Sequence, residues 1–184
     1  MPALFLTVLI IVLIIVLIKS KERTIRFAKL FLGMEETGDN QGFYSGKLEN
    51  LMRSVGWKPG YQWCAFFMKM VWVNSLPTKK HREKAKKLMT GSTQLTLKNF
   101  QNDNSGLFKV VNRPKKGAMV IWRSKSDKSR GHTGLVKKVR LNGNYKTIEG
   151  NSNLGGSPGI ITQIEYGANG APRGLELMAF IIPI

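Results

Sequence analysis

Cys64-Ala65-Phe66-Phe67-Met68-Lys69-Met70-Val71-Trp72-Val73-Asn74 is apolar on nearly every side of a helix, with Lys69 the one interruption. A helix of that kind belongs in the middle of a core rather than on its surface. Upstream, Lys58-Pro59-Gly60 is a turn, and Lys47–Val55 is a short helix with Leu48, Leu51, Met52 and Val55 on one side and Gly56 at its end. Thr24–Glu36 spaces Ile25, Ala28 and Leu32 as an amphipathic helix that Thr37–Gly42 breaks. Downstream, Pro77–Met89 carries Lys79, Lys80, Arg82, Lys84, Lys86 and Lys87 against Glu83, a solvated basic helix or loop. After Pro114 the pattern becomes β: Ala118–Arg123, His132–Arg140, Tyr145–Asn151, Gly159–Tyr166 and Leu175–Ile182 are rich in β-branched or aromatic residues. Asn142-Gly143-Asn144 is a hairpin turn. Helices first and strands afterwards predict an α+β domain, a mainly antiparallel sheet packed on the central helix that bears the cysteine. Gly155-Gly156-Ser157-Pro158-Gly159 lacks the Lys-Ser/Thr of a phosphate-cradling loop.

The chain has 184 residues, with 29 Lys and Arg against 11 Asp and Glu, a net charge of +18. Such an imbalance selects polyanionic partners. From Met1 to Ile18 the sequence is uncharged and 16 of 18 residues are apolar. As a helix, Ala3–Ile18 would be about 24 Å long, slightly short of a hydrocarbon layer of about 30 Å, and Lys19 and Lys21 can snorkel to close the gap. A cleavable signal peptide has basic residues before its apolar run and small residues after it. Here the run opens Met-Pro-Ala and ends in Lys-Ser-Lys-Glu-Arg, so residues 1–20 are expected to be an uncleaved single-pass transmembrane anchor in the lipid membrane and 21–184 one folded domain. The positive charges after the span point that domain inward by the positive-inside rule, which a membrane inside a virus particle would escape; topology stays open. One cysteine makes no disulfide, and Cys64 with His81 and His132 makes neither a Cys-rich nor a three-histidine metal centre, so no metal and no cofactor are expected.

Whatever chemistry exists uses few residues. Cys64 stands at the start of the buried helix, where unpaired backbone N–H groups and the helix dipole favour a thiolate, although a lone Cys among aromatics is also an ordinary core residue. His132 opens a predicted strand with Gly131 and Gly134 about it, which clears space for an imidazole facing a cleft; His81, among lysines, has no such setting. On the next strand, across the Asn142–Asn144 turn, Glu149 and Asn151 share parity and so one face. Either can fix the imidazole's tautomer. A thiolate, a base and a polar orienter form the constellation for nucleophilic acyl transfer.

Five blocks in order now resemble a known family: Glu36-Thr37-Gly38-Asp39-Asn40-x-Gly42, Gly56-x-x-Pro59-Gly60-x-x-Trp63-Cys64-Ala65-x-Phe67, Pro114-x-x-Gly117-x-x-Val120-x-Trp122, Gly131-His132-x-Gly134-x-Val136 and Glu149-Gly150-Asn151-x-Asn153. They resemble the successive blocks of CHAP-type cysteine amidases and peptidases. The resemblance implies a papain-like α+β fold of the wider group that includes the NlpC-type enzymes, and cleavage of amide bonds in peptidoglycan. It implies Cys64 as nucleophile, His132 as base and Glu149 or Asn151 as third residue. The family's usual Gly-Asp-Ile-Val block reads Gly117-Ala118-Met119-Val120, and no Asp-rich calcium loop precedes Cys64.

The expected mechanism has an oxyanion met by the Cys64 N–H at the helix start and by the Gln62 amide as a second donor. Peptidoglycan, or another anionic envelope polymer, suits the net charge. The expected location is a membrane, with the domain facing the cell wall or carried on a virion membrane. The competing reading is a basic, membrane-tethered structural virion protein that binds nucleic acid by counterion release without catalysis.

Overall fold

The computed structural model describes residues 20–153 and 158–184. The anchor expected over residues 3–18 lies outside the described residues. Among the described residues no helix is long and apolar enough to cross a membrane.

Among the described residues five helices precede the sheet. Helix α1 occupies 20–29 and α2 spans Gly46–Ser54, capped by the Ser45 hydroxyl, which accepts from the Leu48 N–H at 3.3 Å. Helix α3, Cys64–Ser75, is the core helix, with Phe67, Met68, Met70, Val71 and Trp72 fully buried. Helix α4 spans Lys79–Leu88 and α5 spans Thr93–Gln101, each with a Thr or Ser hydroxyl accepting from its first turn.

The expectation that α1 runs on to Glu36 fails. Gly33 adopts φ +79° and gives its N–H to the Ile161 carbonyl at 2.9 Å, and Glu35 bridges Ile160, so this backbone has left the helix to border the sheet. Ile25 and Ala28 are buried as the spacing requires and Leu32 partly so; Phe31 is buried as well, while Leu30 is 63 % exposed. Helix α4 is basic outside and apolar inside. His81 is buried there, edge-on to Phe108, bonded to the Thr78 hydroxyl at 2.8 Å and the Ile184 carbonyl at 2.9 Å.

The strands are β1 (Phe108–Val111), β2 (Met119–Ser124), β3 (Gly131–Val139), β4 (Tyr145–Ser152), β5 (Ile160–Thr162), β6 (Glu165–Tyr166) and β7 (Leu175–Pro183). They form one sheet in the order β1-β7-β2-β3-β4-β5, with β6 also on β4, and every pairing is antiparallel. The last strand inserts between β1 and β2. The single strand expected over Gly159–Tyr166 is instead two, because β5 pairs the end of β4 and β6 its start; between them the Ile164 carbonyl takes the Thr147 N–H at 2.8 Å.

Alternation along β2 places Met119 and Ile121 on the helix side of the sheet and Val120 and Trp122 on the other. The helix-side core includes Leu135, Ile148 and the α3 face. A smaller cluster on the far face joins Trp122, Val136, Tyr145, Tyr166 and Phe180. The sheet is thus covered on both sides, and the far-face cluster is where the site is built.

Candidate active site

Helix α3 lies against β3 and β4. The approach is set at Gly150, where an added Cβ would come within 2.6 Å of Trp63 and 2.8 Å of Phe67. Any larger residue there would lift the start of α3 off the sheet. Trp63 precedes the helix and is fixed by its indole Nε1, which donates to Glu36 Oε2 at 2.6 Å. The other Glu36 oxygen accepts the Gly159 N–H at 2.8 Å. This buried carboxylate ties the residue before Cys64 to the segment entering β5.

Cys64 is the first residue of α3, and its N-cap, Trp63, offers no side-chain cap. The first-turn N–H groups are therefore unclaimed by a capping side chain and point toward the sulfur's surroundings. The thiol is 6 % exposed, and its sulfur is near enough to the His132 imidazole to favour the ring's charged form.

His132 stands one residue inside β3, opposite Trp122 of β2, and the two rings stack at 5.7 Å with 14° between planes. Nε2 of His132 meets Glu149 Oε2 at 2.9 Å, which leaves Nδ1 as the ring nitrogen not engaged by the carboxylate. Glu149 is fully buried on the far face of the sheet. Its Oε1 accepts from the Thr147 hydroxyl and its Oε2 also from the Tyr166 hydroxyl at 3.4 Å. Burial and the Glu149 charge both raise the Tyr166 phenol, which stays protonated as a donor.

Charge follows from this geometry. Burial opposes a charged imidazole, but the Cys64 sulfur and the Glu149 carboxylate outweigh it and push His132 up from 6.5 to about 10. The charged form of the imidazole is therefore favoured by its two neighbours.

The glycines flanking His132 act differently from the expectation that they clear room for its ring. A Cβ at Gly134 would lie 2.6 Å from Glu149 Cγ, so Gly134 opens the path by which the Glu149 side chain crosses to His132. A Cβ at Gly131 would lie 2.2 Å from the Trp122 carbonyl oxygen and 2.3 Å from Gln94 Nε2, so Gly131 accepts the start of α5.

Of the two residues expected to orient His132, the structure brings Glu149 to it and takes Asn151 elsewhere. The register of β4 shifts between Glu149 and Ser152, and Asn151 adopts φ 58°. Period-two alternation ends at that bulge. The Asn151 Nδ2 donates to Asn40 Oδ1 at 3.1 Å.

Two hollows flank the Gly131–His132 step. One, of about 190 Å³, is lined by Gln62, Cys64, Gly91, Thr93, Arg130 and Gly131 among others. Gln62 is exposed on its wall. The other, of about 500 Å³, is lined by His132, Glu149, Asn151, Tyr166 and Arg173 among others. Among the described residues no group of three or more His, Cys, Asp or Glu side chains is gathered as a metal site. Sequence reasoning missed Trp122 as the ring support, Thr147 and Tyr166 as partners of Glu149, and Thr93 as a wall. Thr147 shares parity with Glu149 and was open to the same argument; Tyr166 was not, because only the pairing of β6 with β4 brings it there.

A buried thiol at a helix start, an imidazole and a buried carboxylate in series are the groups that nucleophilic acyl transfer requires. Residues 56–151, about half of the chain, match the CHAP domain family, and the chain belongs to that family. No curated protein matches it in sequence. A solved structure described as the crystal structure of Ly7917 with the hydrolyzing product of MDP is similar in shape, with a TM-score of 0.49 and 14 % identity, over 89 % of this chain and 62 % of that one.

Proposed function

We propose that this chain is a membrane-anchored, cysteine-dependent peptidoglycan hydrolase that cleaves an amide bond of the cell wall. The observation that carries the reading is the series Cys64, His132 and Glu149, with His132 Nε2 2.9 Å from a fully buried Glu149 carboxylate. Membership of the CHAP domain family supports the substrate class. The net charge of +18 suits an anionic wall polymer, and the apolar run of residues 3–18 supports the anchor. A basic virion protein would share the charge and the anchor. It gives no reason for a buried carboxylate bonded to an imidazole whose basicity the lone thiol also raises.

In this mechanism the Cys64 sulfur, its proton already on His132, attacks the scissile carbonyl and forms a carbon–sulfur bond. The oxyanion is met by the Cys64 N–H at the start of α3 and by the Gln62 amide. As the tetrahedral intermediate collapses, His132 gives its proton to the leaving amine and the carbon–nitrogen bond breaks. The neutral imidazole then takes a proton from water, whose oxygen attacks the thioester; the acid leaves and Cys64 is restored as thiolate beside the imidazolium. Glu149 keeps the ring oriented and favours its charged form throughout. Gly91, Thr93 and Arg130 wall the hollow beside Cys64.

The test is incubation of purified peptidoglycan with the full chain in detergent and with its Cys64→Ala variant, followed by mass spectrometry of released fragments. New amino groups from the wild type alone support the reading, and the fragment masses name the bond. Equal release, or none from either protein across several wall types, refutes it.

A further inference from the structure

The sheet has two ends. His132 stands at one, and β3 runs from it to a hairpin at the other, where residues 140–144 join β3 to β4. Leu141 at that tip has a relative exposure of 110 %, the most exposed large apolar side chain among the described residues. Nothing among the described residues covers it. Its immediate neighbours along the chain are Arg140 and Asn142, and Lys138 is exposed on the strand below.

Two further loops gather around this tip. Asn112–Lys115 and Ala168–Asn169 share with Val139–Gly143 the lining of one shallow hollow of about 510 Å³. The sequences 112–117 (Asn-Arg-Pro-Lys-Lys-Gly), 140–144 (Arg-Leu-Asn-Gly-Asn) and 167–173 (Gly-Ala-Asn-Gly-Ala-Pro-Arg) contain no acidic residue. Two of the local cations are paired from outside the loops, Lys116 with Glu22 and Arg140 with Glu165. Arg113, Lys115 and Lys138 are exposed and make no salt bridge among the described residues.

The start of α1 lies against the same end. A Cβ on Gly117 would meet Lys21 Cγ at 3.0 Å, and the Lys116–Glu22 pair joins the loop to the helix. Only Lys19 separates residue 20 from the uncharged apolar stretch of the sequence. One end of the sheet therefore unites an apolar tip, a cationic collar free of its own acids, and the point at which the chain comes from its apolar segment.

We infer that this end of the domain rests on an anionic lipid surface, with Leu141 entering the headgroup boundary and Arg113, Lys115 and Lys138 facing acidic headgroups. An exposed apolar residue within a basic rim matches the two forces that hold a protein at such an interface, apolar burial and attraction to anionic lipid. The consequence is orientation. Nine residues of extended chain separate His132 from Leu141, roughly 30 Å at about 3.3 Å each, so a domain seated on this end holds its cleft away from the bilayer. The inference rests on the membrane part of the proposed function and not on its chemistry.

The test uses the full chain carrying Cys64→Ala and Leu141→Cys, labelled at position 141 with an environment-sensitive fluorophore. It is reconstituted into phosphatidylcholine vesicles with and without phosphatidylglycerol, both containing a quencher-bearing lipid. Flotation reads whether the chain is held by the vesicle at all, independently of the tip. The expected result is a blue shift and quenching at position 141 in the phosphatidylglycerol vesicles only. A label at Leu95→Cys, on the exposed side of α5, stays in water. Each cation near an anionic leaflet is worth about fivefold. Arg113→Glu, Lys115→Glu and Lys138→Glu together therefore reduce the seated population on the order of a hundredfold. A tip label that stays in water while the chain floats overturns the inference and leaves the anchor standing. Equal quenching in neutral vesicles overturns the cationic collar. Protection of the label by added peptidoglycan or DNA, and not by lipid, reassigns the surface to a polymer. A seated tip, together with no wall hydrolysis by the parallel chain that keeps Cys64, refutes the enzymatic reading and spares this one.

Discussion

Glu149→Gln removes the carboxylate, one of the two neighbours that favour a protonated His132 imidazole, while preserving volume. His132 is pushed from 6.5 up to about 10, a preference for the imidazolium of roughly 5 kcal/mol at about 1.4 kcal/mol per pH unit, achieved against burial and shared between Cys64 and Glu149. An opposite charge at hydrogen-bond distance is worth about 1–3 pH units, so the variant's imidazole should titrate lower by that amount. The Gln carbonyl can still accept from Nε2, so ring orientation is partly kept. The rate of peptidoglycan cleavage should nevertheless fall by about 10²–10⁴. Stability moves with it. Because the folded pKa of His132 is raised, its contribution is fully present below the unfolded value of 6.5 and is lost as pH rises through about 10; in the variant that loss begins at lower pH. The assays are NMR titration of the imidazole, kcat against pH, and thermal unfolding from pH 6 to pH 10. An unchanged His132 titration with a rate within about threefold of wild type would refute the reasoning.

Three further outcomes are expected. Gly134→Ala places a methyl 2.6 Å from Glu149 Cγ; overpacking costs about 1–3 kcal/mol, and the displaced carboxylate lowers the His132 titration and kcat with little change in KM. Asn151→Ala puts a side chain without αL preference at φ 58° and breaks the bond to Asn40, costing about 1–2 kcal/mol in urea unfolding. The His132 titration should not move, and a shift as large as that of Glu149→Gln would overturn the placement of Asn151. Trp63→Phe removes the indole donor from buried Glu36, at a cost of about 1–3 kcal/mol, read as a lower urea midpoint at constant slope.

The sequence made the middle of the fold legible. The all-round apolar run of α3, the basic run of α4 and the β-branched and aromatic runs of β2, β3 and β4 each stand out, and the hairpin at Asn142–Asn144 links the last two as expected. Helix α5 was missed although Thr93, Thr96, Leu97 and Phe100 are buried at helical spacing. Two of those four positions are threonines, which blunt the hydrophobic signal, and their burial is decided by tertiary packing on β1 and β2. Strand β1 was missed because four residues at a sheet edge carry little pattern and their partner β7 is the last strand of the chain. At the site, Cys64, His132 and Glu149 were legible because a helix start and two strands joined by a short turn fix where side chains go. The choice between Glu149 and Asn151 was not, since a bulge and a left-handed residue break the parity that made them equivalent. Nor was the use of Gly134, whose missing side chain matters only once the path of Glu149 is known.

The central claim is that Cys64 carries the acyl group in the intermediate. The direct measurement is intact-mass analysis of the full chain, quenched in acid within the first turnovers on soluble muropeptide fragments. The account predicts a transient adduct with the mass of the acyl fragment, mapped by digestion to Cys64, absent in Cys64→Ala and accumulating in Glu149→Gln. Hydrolysis by Cys64→Ala, or an adduct on any other residue, would contradict it.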